Sequence, residues 1–237
     1  DLAVDLQIAT VHPEWECAIP IPPAEYKLHN RIIVQSEQLN GRFRKDILPF
    51  LHACHNSPTC VIWEYSDYNY KLLKEESEAY LSTIVLPVMF QDLPPVQPLP
   101  LALRTMDHFG AASVVGRRKE FIDLLGKYSK DHSLTGAYGL TRKADQLVSG
   151  HQHARVCLCI HVESSPSPGE YHRLSDVVRY GCVPVYEKFA DLLWSRSLTE
   201  CGNIHFAESP QEVILMSHMV SANITAATDN WQKSVDD

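Results

Sequence analysis

Two α/β units, each built on a Rossmann-like parallel sheet and facing a common cleft, are predicted for this chain of 237 residues. Three observations lead there. Short apolar runs rich in β-branched residues alternate with helix-like stretches. A proline-rich segment interrupts that alternation near the middle. The longest strand-like run, Val156-Cys157-Leu158-Cys159-Ile160, is apolar at every position, as a strand covered on both faces must be.

In the first unit Leu2–Ala9, Arg31–Gln35, Cys60–Glu64 and Thr83–Leu86 read as strands. Lys45–His55 reads as a helix because Ile47, Leu48, Phe50, Leu51 and Cys54 recur at helical spacing, and Asp67–Ala79 reads as a second. Five of the fifteen residues from Leu86 to Pro100 are proline, which fixes φ and removes donors, so a stiff extended connector is expected. It places the units at 1–95 and 96–237. In the second unit Ala111–Val115 reads as a strand ending at Gly116, and Arg118–Ser129 as a helix. Thr141–Gly150 reads as a helix with Gly150 as its C-cap. After the apolar run come a helix Leu174–Tyr180 closed by Gly181, a strand Val183–Tyr186, a helix Phe189–Trp194 and a strand Asn203–Phe206. Ser209 then caps a last helix with Pro210 at its first position.

Composition narrows the partners. Hydrophobic residues make up 45% of the chain, enough for a real core. The formal charge of −8 argues against nucleic acid, whose backbone needs a basic face. No run of ~18 apolar residues free of charge is present, so no membrane span is expected. The chain opens at Asp1 with strand-like sequence, which suggests a piece of a longer polypeptide with adjoining domains. Seven cysteines without a Cys-x-x-Cys pair suggest a reduced, cytoplasmic protein in which Cys157 and Cys159 act as small hydrophobes. His151 and His153 read as solvated surface residues, since no zinc-type spacing surrounds them. No metal and no resident cofactor are called for.

Several signatures are absent: a dinucleotide G-x-G-x-x-G, a P-loop, a G-x-S-x-G elbow, and a strand ending in D-x-D. Two segments remain. In Val114-Val115-Gly116-Arg117-Arg118 a strand meets a glycine turn and a helix N-terminus. Amides and dipole favour an anion there, and Arg117 or Arg118 would strengthen it; two solvated arginines are the other reading. In the second, a buried strand stops at His161, a Ser/Pro/Gly loop follows, and a helix begins near Glu170, with Arg173 one turn on. The next strand ends at Glu187. Carboxylates at such ends can take the hydroxyls of a ribose while cations hold phosphates. A capped helix with an internal Glu170–Arg173 pair is the plainer alternative.

These segments in this order, with Gly136-Ala137-Tyr138-Gly139 between them, resemble the C-terminal half of GT-B glycosyltransferases, of the group-1 and exostosin-like kinds. Ile32-Ile33-Val34-Gln35-Ser36-Glu37-Gln38-Leu39 and Trp63-Glu64-Tyr65-Ser66-Asp67-Tyr68-Asn69 are similar to the E-Q-L and W-x-Y-S-x-x-N segments of the same group. The chain as a whole also resembles the rhamnosyltransferase-like middle domains of multidomain chlorovirus glycosyltransferases, which would place it in a host cytoplasm.

The resemblance implies a nucleotide-sugar donor, UDP favoured, on the C-terminal unit, and an oligosaccharide or glycoprotein glycan as acceptor on the N-terminal unit. It implies chemistry without a metal, and a sugar such as L-rhamnose. Gly116, Arg117, Tyr138, His161, Glu170, Arg173 and Glu187 are the expected donor-binding residues. Arg117 and Arg173 would hold phosphates, Tyr138 the base, Glu170 or Glu187 the ribose, and His161 phosphate or sugar. Glu163 and Glu170 lie seven positions apart where the retaining pattern needs eight, so an inverting displacement is expected. Inversion needs a general base, and His12 and Glu37, each following a strand, are the candidates. A sugar-nucleotide epimerase or hydrolase, and a non-catalytic glycan-binding domain, are the alternatives.

Overall fold

The computed structural model describes residues 7–10, 31–35, 38–41, 44–76, 83–85, 96–100, 103–139, 143–162, 166–191 and 204–224. The chain divides into two compact units, Asp1–Val88 and Met89–Asp237.

The first unit is a four-stranded sheet in the order β1-β2-β3-β4, every pair parallel, with β1 Gln7–Thr10, β2 Arg31–Gln35, β3 Cys60–Glu64 and β4 Ile84–Val85. Helix α1 (Arg44–His55) buries Ile47, Leu51 and Cys54, which lie on one stripe at helical spacing. They meet Ile33 and Ile62 from neighbouring strands, together with Leu39 and with Leu73 of α2 (Asp67–Glu76). Ser66 opens α2: its hydroxyl accepts from the amide of Asn69 at 3.0 Å.

The second unit carries five strands, all parallel, in the order β6-β5-β7-β8-β9: β5 Met106–Ala111, β6 Gly136–Gly139, β7 Ala154–Cys159, β8 Val183–Glu187 and β9 His205–Ala207. Among the described residues its helices are α3 (Arg117–Asp131), α4 (Ala144–His153), α5 (Tyr171–Arg179) and α6 (Pro210–Ala222). The apolar run of β7 is buried on both sides. Val156, Leu158 and Ile160 pack with Phe121 and Leu125 of α3 and Val213, Ile214 and Val220 of α6. Cys157 points the other way, into Phe109, Val177 of α5 and Leu147 of α4. Ser209 caps α6 by accepting from the amide of Glu212, with Pro210 behind it as expected.

The strand order has a consequence for ligands. The chain steps from β5 outward to β6, then returns past β5 to β7. Neighbouring connections therefore diverge between β5 and β7, and an open α/β sheet binds ligands outside the carboxyl ends of such strands.

Several elements differ from expectation. The strand expected over Ala111–Val115 is β5, five residues earlier. Asp107 and His108 hid it, being polar residues inside a strand; Asp107 is held by Thr135 and Arg155, while His108 is buried where Gly136 leaves room for its ring. The exposed Val114 and Val115 belong to the loop beyond it. The edge strand β6 was not anticipated, since two glycines in four residues give no strand signal. Gly150 is not a C-cap. Helix α4 continues to His153, and a Cβ at Gly150 would stand 2.3 Å from the Phe109 ring. Phe189–Asp191 is not helical, and 192–194 lies outside the described residues. The expectation of reduced cysteines is also overturned: Cys54 bridges to Cys60, and Cys157 to Cys182. These pairs close over 6 and 25 residues of sequence, spacings that carry no local signature.

His151 is a further correction, since it is buried rather than solvated. Its ring lies edge-on to Phe109 at 5.2 Å and stacks on Tyr180 at 5.9 Å. Burial, reinforced by Arg173, pulls its pKa down to about 4 from 6.5. The unfolded chain therefore takes up a proton that the folded chain refuses, so stability is present above the ordinary value and lost as pH falls toward 4. We expect about 2 kcal/mol of this loss between about pH 7 and about pH 5. In His151→Phe, urea midpoints should lose that share of the acid sensitivity and keep the remainder.

Candidate functional site

The carboxyl ends of β5, β7 and β8 gather most of the expected donor-binding residues. Beyond β5 the chain turns at Gly116, whose φ of 54° suits glycine, and a Cβ there would crowd the carbonyl of Val162 at 3.1 Å. Helix α3 starts at the next residue.

Arg117, the first residue of α3, grips Glu187 with two prongs. Its Nη1 donates to Oε2 at 3.1 Å and its Nη2 to Oε1 at 2.5 Å. Glu187, at the end of β8, is 1% exposed, while the arginine is 28% exposed. The amide of His161 also donates to Glu187 Oε2, at 2.9 Å. One carboxylate thus ties the ends of β7 and β8 to the start of α3.

Arg118 turns inward. It donates to the carbonyl of Ile160 at 2.9 Å, to Ser113 Oγ at 3.3 Å and to Glu170 Oε1 at 2.5 Å. The other oxygen of Glu170 takes Arg173 one turn along, the pair foreseen from sequence. Arg173 also reaches the sulfur of Cys159 at 3.3 Å. Glu170 therefore sits between two cations, and Arg118, left open with Arg117 at the sequence level, is its structural partner. Burial and then the Glu170 charge push the Cys159 thiol up to about 12. Burial disfavours the Arg173 cation, but the carboxylate overrides that and holds it above its ordinary value.

His161 is 1% exposed. Its Nε2 lies 3.1 Å from the carbonyl of Lys188 and donates to it. Its Nδ1 is buried and has no hydrogen-bond partner. The loop before α5 is fixed from beneath: Asp191 accepts from the amide of Gly169 at 2.5 Å, and Ser167 accepts from the amide of Ala190 at 2.7 Å. Tyr138 lies on β6 with its ring against Phe121, 5.0 Å away and edge-on, and Gly110 makes room for it. Among the described residues no three His, Cys, Asp or Glu side chains gather where they could hold a metal ion.

In the first unit His12 and Glu37 lie outside the described residues. Glu64, at the end of β3 in the same unit, is buried. It accepts from the amide of Ser66 and from Asn69 Nδ2, both at 3.1 Å. Asn69 Oδ1 in turn accepts from the amide of Leu39 at 3.0 Å, so the W-x-Y-S-x-x-N segment anchors the loop after β2.

Sequence reasoning missed Asp191, Cys159 and Glu64. For Arg118 there was a signal: a cation in the first turn of a helix opposes the helix dipole and calls for a compensating carboxylate.

No family model matches the chain, and no curated protein matches it. Solved structures do. The T4 phage enzyme BGT in complex with its UDP-glucose substrate matches with a TM-score of 0.56 at 11% identity, over 98% of this chain and 76% of that one. An alpha-glucosyltransferase in complex with UDP and a 13-mer DNA containing an HMU base matches with a TM-score of 0.50 at 11% identity, over 98% and 75%. The chain has the GT-B fold. At this identity the likeness speaks for architecture alone.

Proposed function

We propose that this chain is a glycosyltransferase that moves a sugar from a nucleotide diphosphate, UDP favoured, to a hydroxyl acceptor without a metal ion. The observation that carries this reading is the arginine–carboxylate assembly at the carboxyl ends of β5, β7 and β8, at the switch point of a parallel sheet. The GT-B fold it shares with UDP-binding glucosyltransferases supports it.

The chemistry follows from the parts. Departure of the nucleotide diphosphate leaves negative charge on its outer phosphate. Arg117, partly exposed beside the start of α3, meets that charge as a cation, and Arg173 adds a second. Glu187 and Glu170 fix these guanidinium groups in advance, so little reorganisation is needed as charge develops. His161, whose Nε2 donates to the Lys188 carbonyl, is placed at the end of β7 to meet the sugar or a phosphate. The acceptor hydroxyl loses its proton to a general base, for which His12 and Glu37 remain the candidates, in an inverting displacement.

The acceptor we favour is a glycan, because a net charge of −8 suits a neutral oligosaccharide better than a polyphosphate backbone. L-rhamnose is the sugar to try first, followed by glucose. The test is product analysis with a panel of UDP-sugars in the presence of oligosaccharides or hydroxymethylated DNA. Glycosylated product with inverted anomeric configuration supports the proposal. Donor consumption without any acceptor indicates an epimerase or hydrolase, and no consumption indicates a binding domain.

A further inference from the structure

Asn223-Ile224-Thr225 is the chain's one Asn-x-Ser/Thr sequence, and the structure puts its asparagine in the open. Asn223 is the C-cap of α6 and exposed, and its backbone amide already bonds the carbonyl of Met219, so the carboxamide is not needed to finish the helix. The end of α6 is fixed at a known place. Ser221 donates to Asp107 Oδ1 at 3.3 Å, and Asp107 sits at the start of β5. All strands of this sheet are parallel, so Asn223 lies by its amino edge, away from Gly116, His161 and Glu187 at the carboxyl edge.

A second, independent observation concerns the cysteines. Of the five that are described, four are paired in two disulfides. Such bonds persist in oxidising compartments and are rare where thiols are kept reduced. The fifth, Cys159, is buried beside Glu170 and held as the thiol, so it cannot readily attack either bridge. The cytoplasmic placement expected from the cysteine count has no support in this arrangement.

We propose that the chain matures in an oxidising secretory compartment and carries an N-linked glycan on Asn223. The carboxamide nitrogen of Asn223 bonds to the anomeric carbon of an oligosaccharide held on a lipid diphosphate. The bond from that carbon to the diphosphate oxygen breaks, the nitrogen gives up one proton, and the lipid diphosphate leaves. Thr225 supplies the hydroxyl by which the site is recognised. A bulky glycan at the amino edge leaves the carboxyl edge open to its ligand.

The full chain, isolated from its own cells and digested without reduction, tests this by mass spectrometry. A glycan series on the Asn223 peptide, removed by peptide amidase to leave aspartate, is expected alongside bridged Cys54–Cys60 and Cys157–Cys182. In the same cells Asn223→Gln should lose the gel shift of a single glycan, and Thr225→Ser should keep it. UDP affinity of the Gln variant should equal that of the parent. An unmodified Asn223 in the native chain overturns the proposal, as does a shift that persists in Asn223→Gln or free thiols at the four bridged positions.

Discussion

Arg117→Ala lowers sugar transfer by about 10²- to 10³-fold, the cost of removing one preorganised donor from developing negative charge. Arg117 combines three properties that no other described cation shares. It opens helix α3, it is held on two prongs by Glu187, and more than a quarter of it stays in solvent. The grip removes its freedom, so a diphosphate meets a guanidinium already in place. Arg117→Lys keeps the charge but not the fork, and should recover about a tenth of the lost rate or less. Because the arginine is partly exposed and the His161 amide still bonds Glu187, the stability cost of the alanine variant stays at about 1–2 kcal/mol. Rates, calorimetric UDP affinity and thermal unfolding, measured together, separate the two effects. Parental transfer by a folded Arg117→Ala protein would remove Arg117 from the site.

Glu170→Ala has the opposite profile and acts first on the fold. It strips the carboxylate from between Arg118 and Arg173 and leaves Cys159 without its acceptor. Arg118 is 4% exposed, so it cannot recover water, and breaking a buried pair in this way costs about 3–5 kcal/mol. A domain has about 5–15 kcal/mol in all, so the variant should be marginal or unfolded near 37 °C. Glu170→Gln keeps an acceptor and should lose less. Adding Arg118→Met to the alanine variant should restore part of the loss, because it removes the stranded charge. The measurement is a double-mutant cycle on urea midpoints; strict additivity of the two substitutions would show that the pair does not hold the strand end to α3 and α5.

What the sequence disclosed follows from local physics. The stripe Ile47, Leu51 and Cys54, the apolar run of β7, Ser209 with Pro210, and Gly181 at φ 66° after α5 all announce themselves within a few residues. The Glu170–Arg173 pair is legible for the same reason, being one helical turn apart. Failures came where the cause is distant in sequence. Asp107 and His108 could be read as strand residues only with Thr135, Arg155 and Gly136 beside them. Gly150 looked like a cap because the Phe109 ring that demands it lies on another strand. The two bridges, Arg118 on Glu170, and Arg117 on Glu187 span 6, 25, 52 and 70 positions. The expected residues Gly116, Arg117, His161, Glu170, Arg173 and Glu187 fall at the carboxyl ends of neighbouring strands, but their dealings with one another were not legible: both glutamates are engaged by arginines.

Calorimetric titration with UDP in excess chelator puts the central idea to its most direct trial. Binding in the micromolar range, lost on Arg117→Ala in a protein that unfolds cooperatively, is the expected result. Heat that appears only once magnesium is restored, or UDP affinity indifferent to Arg117, would contradict it.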